Sequence, residues 1–232
     1  MKAKSKIAAA AKRKRILLVD DHPLMREGVA QWIQRSPDLE VCGQAETAAQ
    51  ALSLASKLKP DLVLTDISLS GRSGLELIKD LAAVQPDLPT LVLSMHDEWL
   101  YAGRALNAGA RGYVMKRSGG ARVVEAIHEV FQGRIAVGPE IASRLLEEYS
   151  GHKPRASQTA LPPLTDREFE ILPFIGQAKS NREIAEELRL SPKTVETHRL
   201  NLMSKLKLKN RSELLRFALR YVECEGAGAW TS

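Results

Sequence analysis

Residues 16–132 alternate five times between a short apolar run and a longer segment whose apolar residues have helical spacing. Continuous short apolar runs are typical of strands buried on both faces of a parallel sheet. The runs span residues 16–19, 40–45, 62–64, 90–93 and 112–115, and the helical segments span 23–35, 48–57, 74–84, 99–108 and 121–131. Strands that alternate with helices in this way predict an α/β fold, a doubly wound five-stranded parallel sheet over residues 16–132.

Polar side chains directly follow four of these strands. Asp20 and Asp21 follow the first, Asp66 the third, Ser94 the fourth and Lys116 the fifth. Ligands of open α/β sheets bind beyond the carboxyl ends of the strands, so we expect these side chains to meet at one edge. Carboxylates suit a hard cation such as Mg²⁺, an aspartate can become an aspartyl-phosphate, and a lysine offers a point charge to phosphate. The alternative, solvated loop carboxylates, is the commoner interpretation of any one aspartate but explains the whole set poorly.

Charge and cysteine content narrow the class of protein. The net charge is +6, yet residues 1–15 carry seven basic side chains and no acid, and residues 16–132 sum to −4. This basic N-terminal tail is predicted to be disordered; either it adds phosphate contacts to DNA or it has little role. Cys42 and Cys224 lack the spacing of a disulfide framework or a zinc site. No apolar run has the length of a membrane span or of a signal sequence, so we expect a cytoplasmic protein that does not bind membranes.

The second half of the chain has a purely helical pattern after a proline-containing linker. The predicted divisions are a linker with a short helix at 133–163, a helical domain at 164–223 and a C-terminal tail at 224–232. Start signals of helices recur along the helical domain: two capping boxes, a serine followed by proline, and a further serine. They are Thr165-Asp-Arg-Glu168, Ser180-Asn-Arg-Glu183, Ser191-Pro192 and Ser212.

Four short helices with tight turns make a helix-turn-helix candidate. The polar side of the third helix carries Lys193, Thr194, Glu196, Thr197, His198, Arg199, Asn201 and Lys205. Basic side chains can neutralise phosphates, while threonine, asparagine, arginine and glutamate can contact base edges. The alternative is a solvated helical face, and charge alone favours it because residues 164–232 sum to only +2.

The strand-end residues lie in segments that resemble the receiver domain of two-component systems, a CheY- and flavodoxin-like fold. The matching segments are Ile16-Leu-Leu-Val-Asp-Asp-His22, Pro60-Asp-Leu-Val-Leu-Thr-Asp66, Leu91-Val-Leu-Ser94 and Gly112-Tyr-Val-Met-Lys116. The resemblance implies that a sensor histidine kinase phosphorylates Asp66. It implies that Asp21, Asp66 and the main-chain carbonyl of Ser68 ligate Mg²⁺, with Asp20 helping to position it. It also implies that Lys116 pairs with the phosphoryl group, that Ser94 reorients towards it, and that Tyr113 then moves inward.

Some positions depart from that family. Leu69-Ser70 stands where a Met-Pro pair is frequent, and Arg117 follows Lys116 where proline is common, so the geometry of these two loops is left open. Ser68 and His96 occupy positions that tune dephosphorylation in the family. A surface loop histidine is an equally good interpretation of His96.

The helical domain resembles the LuxR-type DNA-binding domain. The resemblance lies in Leu164-Thr-Asp-Arg-Glu168, Ser180-Asn-Arg-Glu-Ile-Ala185, Leu190-Ser-Pro-Lys-Thr-Val195, His198 and Lys205-Leu206. It implies that the third helix enters the major groove of DNA, with Lys193 and Thr194 near phosphate and Glu196, Thr197, Arg199 and Asn201 as base readers. His198 either supports the helix or touches phosphate. Pro173 lies within the first helix, and Ala178 stands where the family usually has glycine, so we predict a kinked or shortened first helix.

A receiver followed by this domain is the arrangement of NarL/FixJ-type response regulators. We therefore predict a transcription regulator that binds promoter DNA, is switched by phosphorylation and forms a homodimer when phosphorylated or on DNA, with RNA polymerase a further candidate partner. It would not be an enzyme beyond its own phosphoryl transfer and dephosphorylation. Two alternatives remain: a DNA-binding regulator controlled by a protein partner without phosphorylation, and a phosphatase with an aspartyl-phosphate intermediate. The latter leaves the helix-turn-helix unexplained.

Overall fold

Five parallel strands form one sheet in the order β2-β1-β3-β4-β5, which confirms the predicted fold of the first domain. The structure, a computed structural model, describes residues 13–70, 72–96, 98–149 and 164–226. The strands are β1 Lys14–Val19, β2 Leu39–Ala45, β3 Leu62–Thr65, β4 Thr90–Ser94 and β5 Gly112–Met115. The strand order reverses between β1 and β3, and ligands of such sheets bind at this switch point. The loops that follow β1 and β3 carry the predicted aspartates.

Helices cover both faces of the sheet and bury its apolar side chains. Their bounds are α1 Pro23–Gln34, α2 Ala48–Leu58, α3 Gly74–Val84, α4 Glu98–Ala108 and α5 Gly119–Phe131. On one face, Ile33 of α1 and Ile127 of α5 pack on the sheet. On the other face, Ala51 of α2 and Leu77 of α3 do so. Each strand is therefore held between two helical layers, which fixes where its carboxyl end points.

The first strand begins earlier than the apolar pattern predicts. Lys14 pairs with Leu39 and Arg15 with Glu40, so these two basic residues belong to β1 rather than to the N-terminal tail. Because backbone pairing requires no apolar side chain, the apolar pattern of the sequence does not predict this polar start of the strand. Residues 1–12 of the predicted tail lie outside the described residues.

Four further helices form the second domain, as predicted, after the short helix α6, Pro139–Tyr149. They are α7 Asp166–Gly176, α8 Asn181–Leu188, α9 Pro192–Lys205 and α10 Arg211–Gly226. Helix α10 continues to Gly226, so the predicted tail begins too early; residues 227–232 and the linker residues 150–163 lie outside the described residues. None of the helices in the described part of the chain combines the length and the apolar character needed to cross a lipid bilayer.

The helix starts follow the sequence signals in three cases of four. Both capping boxes form, and Ser191 accepts a hydrogen bond from the backbone of Thr194 at the start of α9. The prediction that Ser212 caps the fourth helix is wrong. The Asn210 side chain accepts the backbone N–H of Glu213 at 2.9 Å instead, and Ser212 lies inside the first turn of α10. Asparagine is as good a cap as serine, so the earlier of the two residues is used.

Helix α7 is shortened, as its proline and alanine predict. It contains Pro173 and ends at Gly176. Ala178, two residues further on, has φ 58, the left-handed conformation that glycine adopts without steric cost. The chain turns there and is held by the backbone N–H of Lys179, which donates to the carbonyl of Phe174 at 3.1 Å.

Candidate functional site

Three of the predicted strand-end residues form a buried ion cluster at the carboxyl edge of the sheet. Lys116 Nζ lies 2.7 Å from Asp20 Oδ2 and 2.7 Å from Asp66 Oδ2. All three residues are almost fully buried, with 6% or less of each accessible. The carboxylates that follow β1 and β3 therefore meet the ammonium group that follows β5. A buried lysine that bridges two carboxylates holds the Asp66 side chain in place and leaves its second oxygen, Oδ1, facing the backbone N–H of Ser68 at 3.3 Å.

Burial sets the protonation behaviour of this cluster. Loss of water raises the pKa of Asp66, an effect opposed by the charge of Lys116 and reinforced by that of Asp20. Loss of water alone would lower the pKa of Lys116, but the charges of Asp66 and Asp20 outweigh it, so that pKa is raised. The raised pKa keeps Lys116 protonated, and its charge opposes the protonation of Asp66 that burial favours.

Asp21 forms the outer side of the site. Its Oδ2 accepts a hydrogen bond from Ser70 Oγ at 2.6 Å. Its Oδ1 is buried and accepts no hydrogen bond from the described residues, although His22 Nδ1 lies 2.9 Å away outside hydrogen-bonding geometry. Asp20, Asp21 and His22 offer ligand atoms within 4.8 Å of one another. A buried carboxylate oxygen without a donor, close to the carboxylate of Asp20, fits a hard divalent cation.

The loop after β3 uses its unusual residues in contacts. A proline at position 70 has no hydroxyl to donate to Asp21, whereas Ser70 does donate. Lys116, Arg117 and Ser118 form one turn of 3₁₀ helix after β5, and every peptide bond of the described residues is trans. Both departures from the receiver pattern are therefore accommodated without displacing the charged groups.

His96 connects the predicted switch residues. Its Nε2 lies 2.7 Å from Ser68 Oγ, its backbone N–H donates to Ser94 Oγ at 3.3 Å, and its carbonyl accepts from the Tyr113 hydroxyl at 3.0 Å. Tyr113 is already buried, at 1% exposure, so the inward movement that the resemblance implies is not needed to bury it. Burial lowers the pKa of His96 to about 4, and the charge of Lys116 acts in the same direction, so the ring is neutral near pH 7. It is not a free surface histidine.

The predicted DNA-contacting residues divide into two groups. Lys193, Thr197 and Asn201 are exposed along α9, while Val195 and Leu202 on its other side are buried. Other members of the set are engaged inside the domain. Glu196 accepts from Asn181 at 2.5 Å, Arg199 donates to Asn181 at 2.6 Å, and Lys205 donates to Glu168 at 2.6 Å. Thr194 and His198 are partly buried, and burial lowers the pKa of His198.

Comparisons with known proteins match both halves of the chain. Residues 16–128 match the family model described as the response regulator receiver domain, and residues 162–218 match the bacterial regulatory proteins of the luxR family. The response regulator GacA of Pseudomonas aeruginosa is 35% identical over 207 residues, which cover 89% of this chain and 96% of that protein. The transcriptional regulatory protein LiaR of Bacillus subtilis is 35% identical over 210 residues, covering 89% of this chain and 97% of LiaR. The chain is a two-component response regulator of the LuxR family.

Solved structures agree with this assignment. A LuxR-family response regulator from Aurantimonas is 37% identical and has a TM-score of 0.56, covering 60% of this chain and 99% of that one. The RcsB response regulator of Salmonella typhimurium is 25% identical with a TM-score of 0.60, covering 90% of this chain and 98% of RcsB. RcsB of Salmonella enterica serovar Typhimurium has also been solved bound to a promoter with a phosphomimetic; at 24% identity and a TM-score of 0.58 it supports the fold of this response regulator.

The two domains of this response regulator are in direct contact, which the sequence does not predict. Asp166, at the start of α7, binds Lys79 of α3 at 2.7 Å and Arg104 of α4 at 3.0 Å. Arg104 also lies over the ring of Phe169, 4.1 Å from its centroid. Helix α7 therefore packs across α3 and α4, next to the loops that carry the acidic site.

Glu170 and Arg167 extend this contact towards the acidic site. Arg167 donates to the main-chain carbonyl of Leu69 at 2.8 Å and to Glu170 at 2.7 Å, and Glu170 accepts from Ser73, the residue that caps α3. Glu170 has no accessible surface, and burial raises its pKa to about 7 against the charge of Arg167. In the sequence these residues look like an ordinary exposed first turn of a helix, so only their partners show their role.

Two further contacts join the DNA-binding domain to the acidic site itself. The His96 ring stacks on Tyr101 at 4.7 Å and meets the edge of Phe174 of α7 at 5.9 Å. Arg189, in the turn between α8 and α9, donates to the main-chain carbonyl of Asp21 at 2.7 Å. No sequence signal marks Arg189, because a basic residue in that turn is also what a DNA-binding surface would carry.

Proposed function

We propose that this response regulator binds promoter DNA in a manner controlled by a phosphoryl group that Asp66 accepts from a sensor histidine kinase. The observation that supports this most is the buried cluster of Asp66, Asp20 and Lys116 at the switch point of the sheet. Lys116 holds one oxygen of Asp66 at 2.7 Å and the backbone N–H of Ser68 donates to the other at 3.3 Å, which supports a role for Asp66 as an oriented nucleophile.

The chemistry follows from this arrangement. A carboxylate oxygen of Asp66 attacks the phosphorus of a phosphohistidine, and an O–P bond forms as the N–P bond breaks. The imidazole leaves with the bonding electron pair once its other ring nitrogen is protonated. Lys116 remains as the cation that faces the new phosphoryl oxygens. Hydrolysis by water reverses the modification, so the only chemistry proposed is the protein's own phosphorylation and dephosphorylation.

Asp21, Asp66 and the main-chain carbonyl of Ser68 are the groups proposed to hold Mg²⁺, with Asp20 assisting. When bound, Mg²⁺ would neutralise charge on the phosphoryl oxygens. The unpartnered Oδ1 of Asp21 supports this assignment. The phosphoryl group itself adds roughly two negative charges beside Lys116.

The switch is proposed to run from the phosphoryl group through Ser94 and His96. Ser94 Oγ now accepts from the backbone of His96, and turning it towards a phosphoryl oxygen removes that bond. His96 in turn contacts Ser68, Tyr113 and Phe174. A shift of His96 therefore reaches α7 and loosens the contact between the domains.

For DNA recognition we propose that α9 enters the major groove. Lys193 would neutralise a phosphate, and Thr197 and Asn201 would address base edges because they are exposed on the same helix. Lys193→Ala is expected to weaken binding to all sequences alike and to reduce its salt dependence, whereas Asn201→Ala is expected to relax sequence preference. A promoter preference unchanged in Asn201→Ala would remove that residue from the base readers.

The remaining partners follow from the same proposal. The kinase supplies the phosphoryl group, a homodimer forms on phosphorylation or on DNA, and RNA polymerase is a candidate contact at the promoter. Because promoter DNA lies in the bacterial cytoplasm, the protein is proposed to act there.

The test uses a small phosphodonor with Mg²⁺ and maps the modified residue. Wild-type protein is expected to acquire a base-labile phosphoryl group that Asp66→Ala lacks. Asp87→Ala is the matched control, since Asp87 is an exposed aspartate of the same domain and its replacement should leave modification unchanged. Equal modification of the Asp66→Ala protein at another aspartate would overturn the assignment.

A further inference from the structure

Arg189 brings a positive charge from the DNA-binding domain to the acidic site of the receiver. Its guanidinium nitrogen lies 2.7 Å from the main-chain oxygen of Asp21 and 3.2 Å from Asp21 Oδ2. Asp21 is buried, with 4% of its side chain accessible, while 38% of the Arg189 side chain is accessible. The arginine thus covers Asp21 from the solvent side and shares Oδ2 with the hydroxyl of Ser70.

The backbone holds Arg189 in this place. The residue ends α8 in a left-handed conformation, φ 49 and ψ 47, and its N–H bonds back to the helix. Helix α9 starts three residues later, so the side chain projects from the turn of the helix-turn-helix. Its position depends on the docking of the whole DNA-binding domain and cannot be kept once that domain moves away.

Besides Lys116, the charge of the site favours either Arg189 or a divalent cation, but not both together. The three carboxylates of Asp20, Asp21 and Asp66 face the cations Lys116 and Arg189, which leaves one net negative charge. A divalent ion added to this set makes the site net positive and places two cations against one carboxylate. The same ion added after Arg189 has withdrawn makes the site neutral. Like charges at such short range in a buried site repel strongly.

We infer that Arg189 and a divalent cation compete for Asp21, so that cation binding alone loosens the DNA-binding domain before any phosphoryl group arrives. The inference rests on the proposed function, since it uses the cation site proposed there. It adds that Arg189 is a positioning residue that couples this site to domain docking. Asp21 has a dual role, as a ligand in the released state and as the docking acceptor in the closed state.

Linkage makes the competition measurable from either side. If the cation binds only the undocked form, docking weakens its apparent affinity, and any change that breaks docking strengthens it by the same factor. Two kinds of variant should therefore act alike: one that removes Arg189 and one that breaks docking elsewhere. Arg104→Glu is of the second kind, because it places a carboxylate against Asp166 and leaves Arg189 intact.

Mn²⁺ is a suitable probe, because it takes the same oxygen ligands as Mg²⁺ and its free ion gives an electron paramagnetic resonance signal. The full chain is titrated with Mn²⁺ without phosphodonor, and small-angle scattering follows the radius of gyration in parallel. Arg189→Gln and Arg104→Glu are each expected to bind Mn²⁺ at least about fivefold more tightly than wild type. Wild type is expected to expand on adding Mn²⁺, and both variants to be expanded already.

Arg182→Gln is the matched control: it removes an exposed arginine from the same helix and should behave as wild type. Circular dichroism checks that each variant is folded, and Arg189→Gly, which suits the left-handed backbone, provides a second test if Arg189→Gln is unstable. Wild-type affinity in Arg189→Gln would overturn the inference while leaving the cation site intact. Tighter Mn²⁺ binding in Arg189→Gln but not in Arg104→Glu would mean that Arg189 acts only through its charge and not through domain docking. That result would also overturn the inference. Absence of Mn²⁺ binding in every protein would instead remove the cation site of the proposed function, and the inference with it.

Discussion

Glu170 is a carboxylate without accessible surface at the contact between α7 and α3, and its replacement by glutamine is expected to change how domain docking depends on pH. Burial raises its pKa from the ordinary 4.5 to about 7. When the domains separate, Glu170 loses Ser73 and meets water, so its pKa returns towards the ordinary value. The docked state therefore binds a proton more tightly than the undocked state.

The sign and size of the effect follow from this difference. A group whose pKa is raised in the docked state favours docking most below its ordinary pKa, and that contribution is lost as the pH rises through the docked value. Between pH 4.5 and about 7 the loss is about 3 kcal/mol, at about 1.4 kcal/mol per pH unit. This corresponds to more than about a hundredfold change in the docking equilibrium.

The neighbours of Glu170 are not expected to mask this change. Bonds from Lys79 and Arg104 hold the pKa of Asp166 below its usual value in spite of burial, and the pKa of His96 is already about 4. Burial raises the pKa of Tyr101, on α4, well above its ordinary value. Of the described groups of this contact whose pKa is shifted, Glu170 is the one expected to titrate between pH 5 and pH 8.

Small-angle scattering over this pH range, without divalent cations or phosphodonor, measures the effect as the fraction of expanded molecules. A larger fraction of wild-type molecules is expected to be expanded at pH 8 than at pH 5, and this fraction is expected not to change with pH in Glu170→Gln. Glu186→Gln, which neutralises an exposed glutamate of α8, should follow wild type. An identical pH curve for wild type and Glu170→Gln would refute the argument.

Three further predictions concern the stability of the DNA-binding domain, measured as the free energy of unfolding in denaturant. Ala178→Gly is expected to stabilise it by about 1 kcal/mol, because φ is 58 at this alanine; a loss of stability would contradict the strained turn. Asn210→Ala should cost about 1 kcal/mol and Ser212→Ala less than about 0.5, and the reverse order would restore Ser212 as the cap. Leu202→Ala, in the core behind α9, should cost about 2–5 kcal/mol, and a cost below about 1 would mean that this position is not packed.

The receiver half is predictable from the sequence because two regular patterns coincide there. Apolar runs fix the strands, and parallel strands must bring their carboxyl ends to one edge, so Asp20, Asp66 and Lys116 meet as expected. The features that the sequence does not predict are those set by backbone pairing or by a choice between two equivalent caps. Lys14 and Arg15 join β1 through backbone pairing alone, and Asn210 precedes Ser212 as a cap of similar quality.

The contact between the domains cannot be predicted from the sequence for a different reason. Its ion pairs and hydrogen bonds join residues far apart in the chain, such as Lys79 with Asp166 and Asp21 with Arg189. No local pattern reports such a pair, and each residue alone looks like a solvated charge. Only their contacts in the folded chain show that α7 and the turn after α8 serve the receiver as well as their own domain.

DNase footprinting of DNA fragments selected by the full-length protein tests whether phosphorylation of Asp66 controls DNA binding. We expect a phosphodonor with Mg²⁺ to strengthen or extend protection by the wild-type protein. Asp66→Ala should show the same weak protection with and without the phosphodonor. Equal protection by both proteins under both conditions would contradict control of DNA binding by phosphorylation of Asp66, and would favour a regulator that responds to a protein partner.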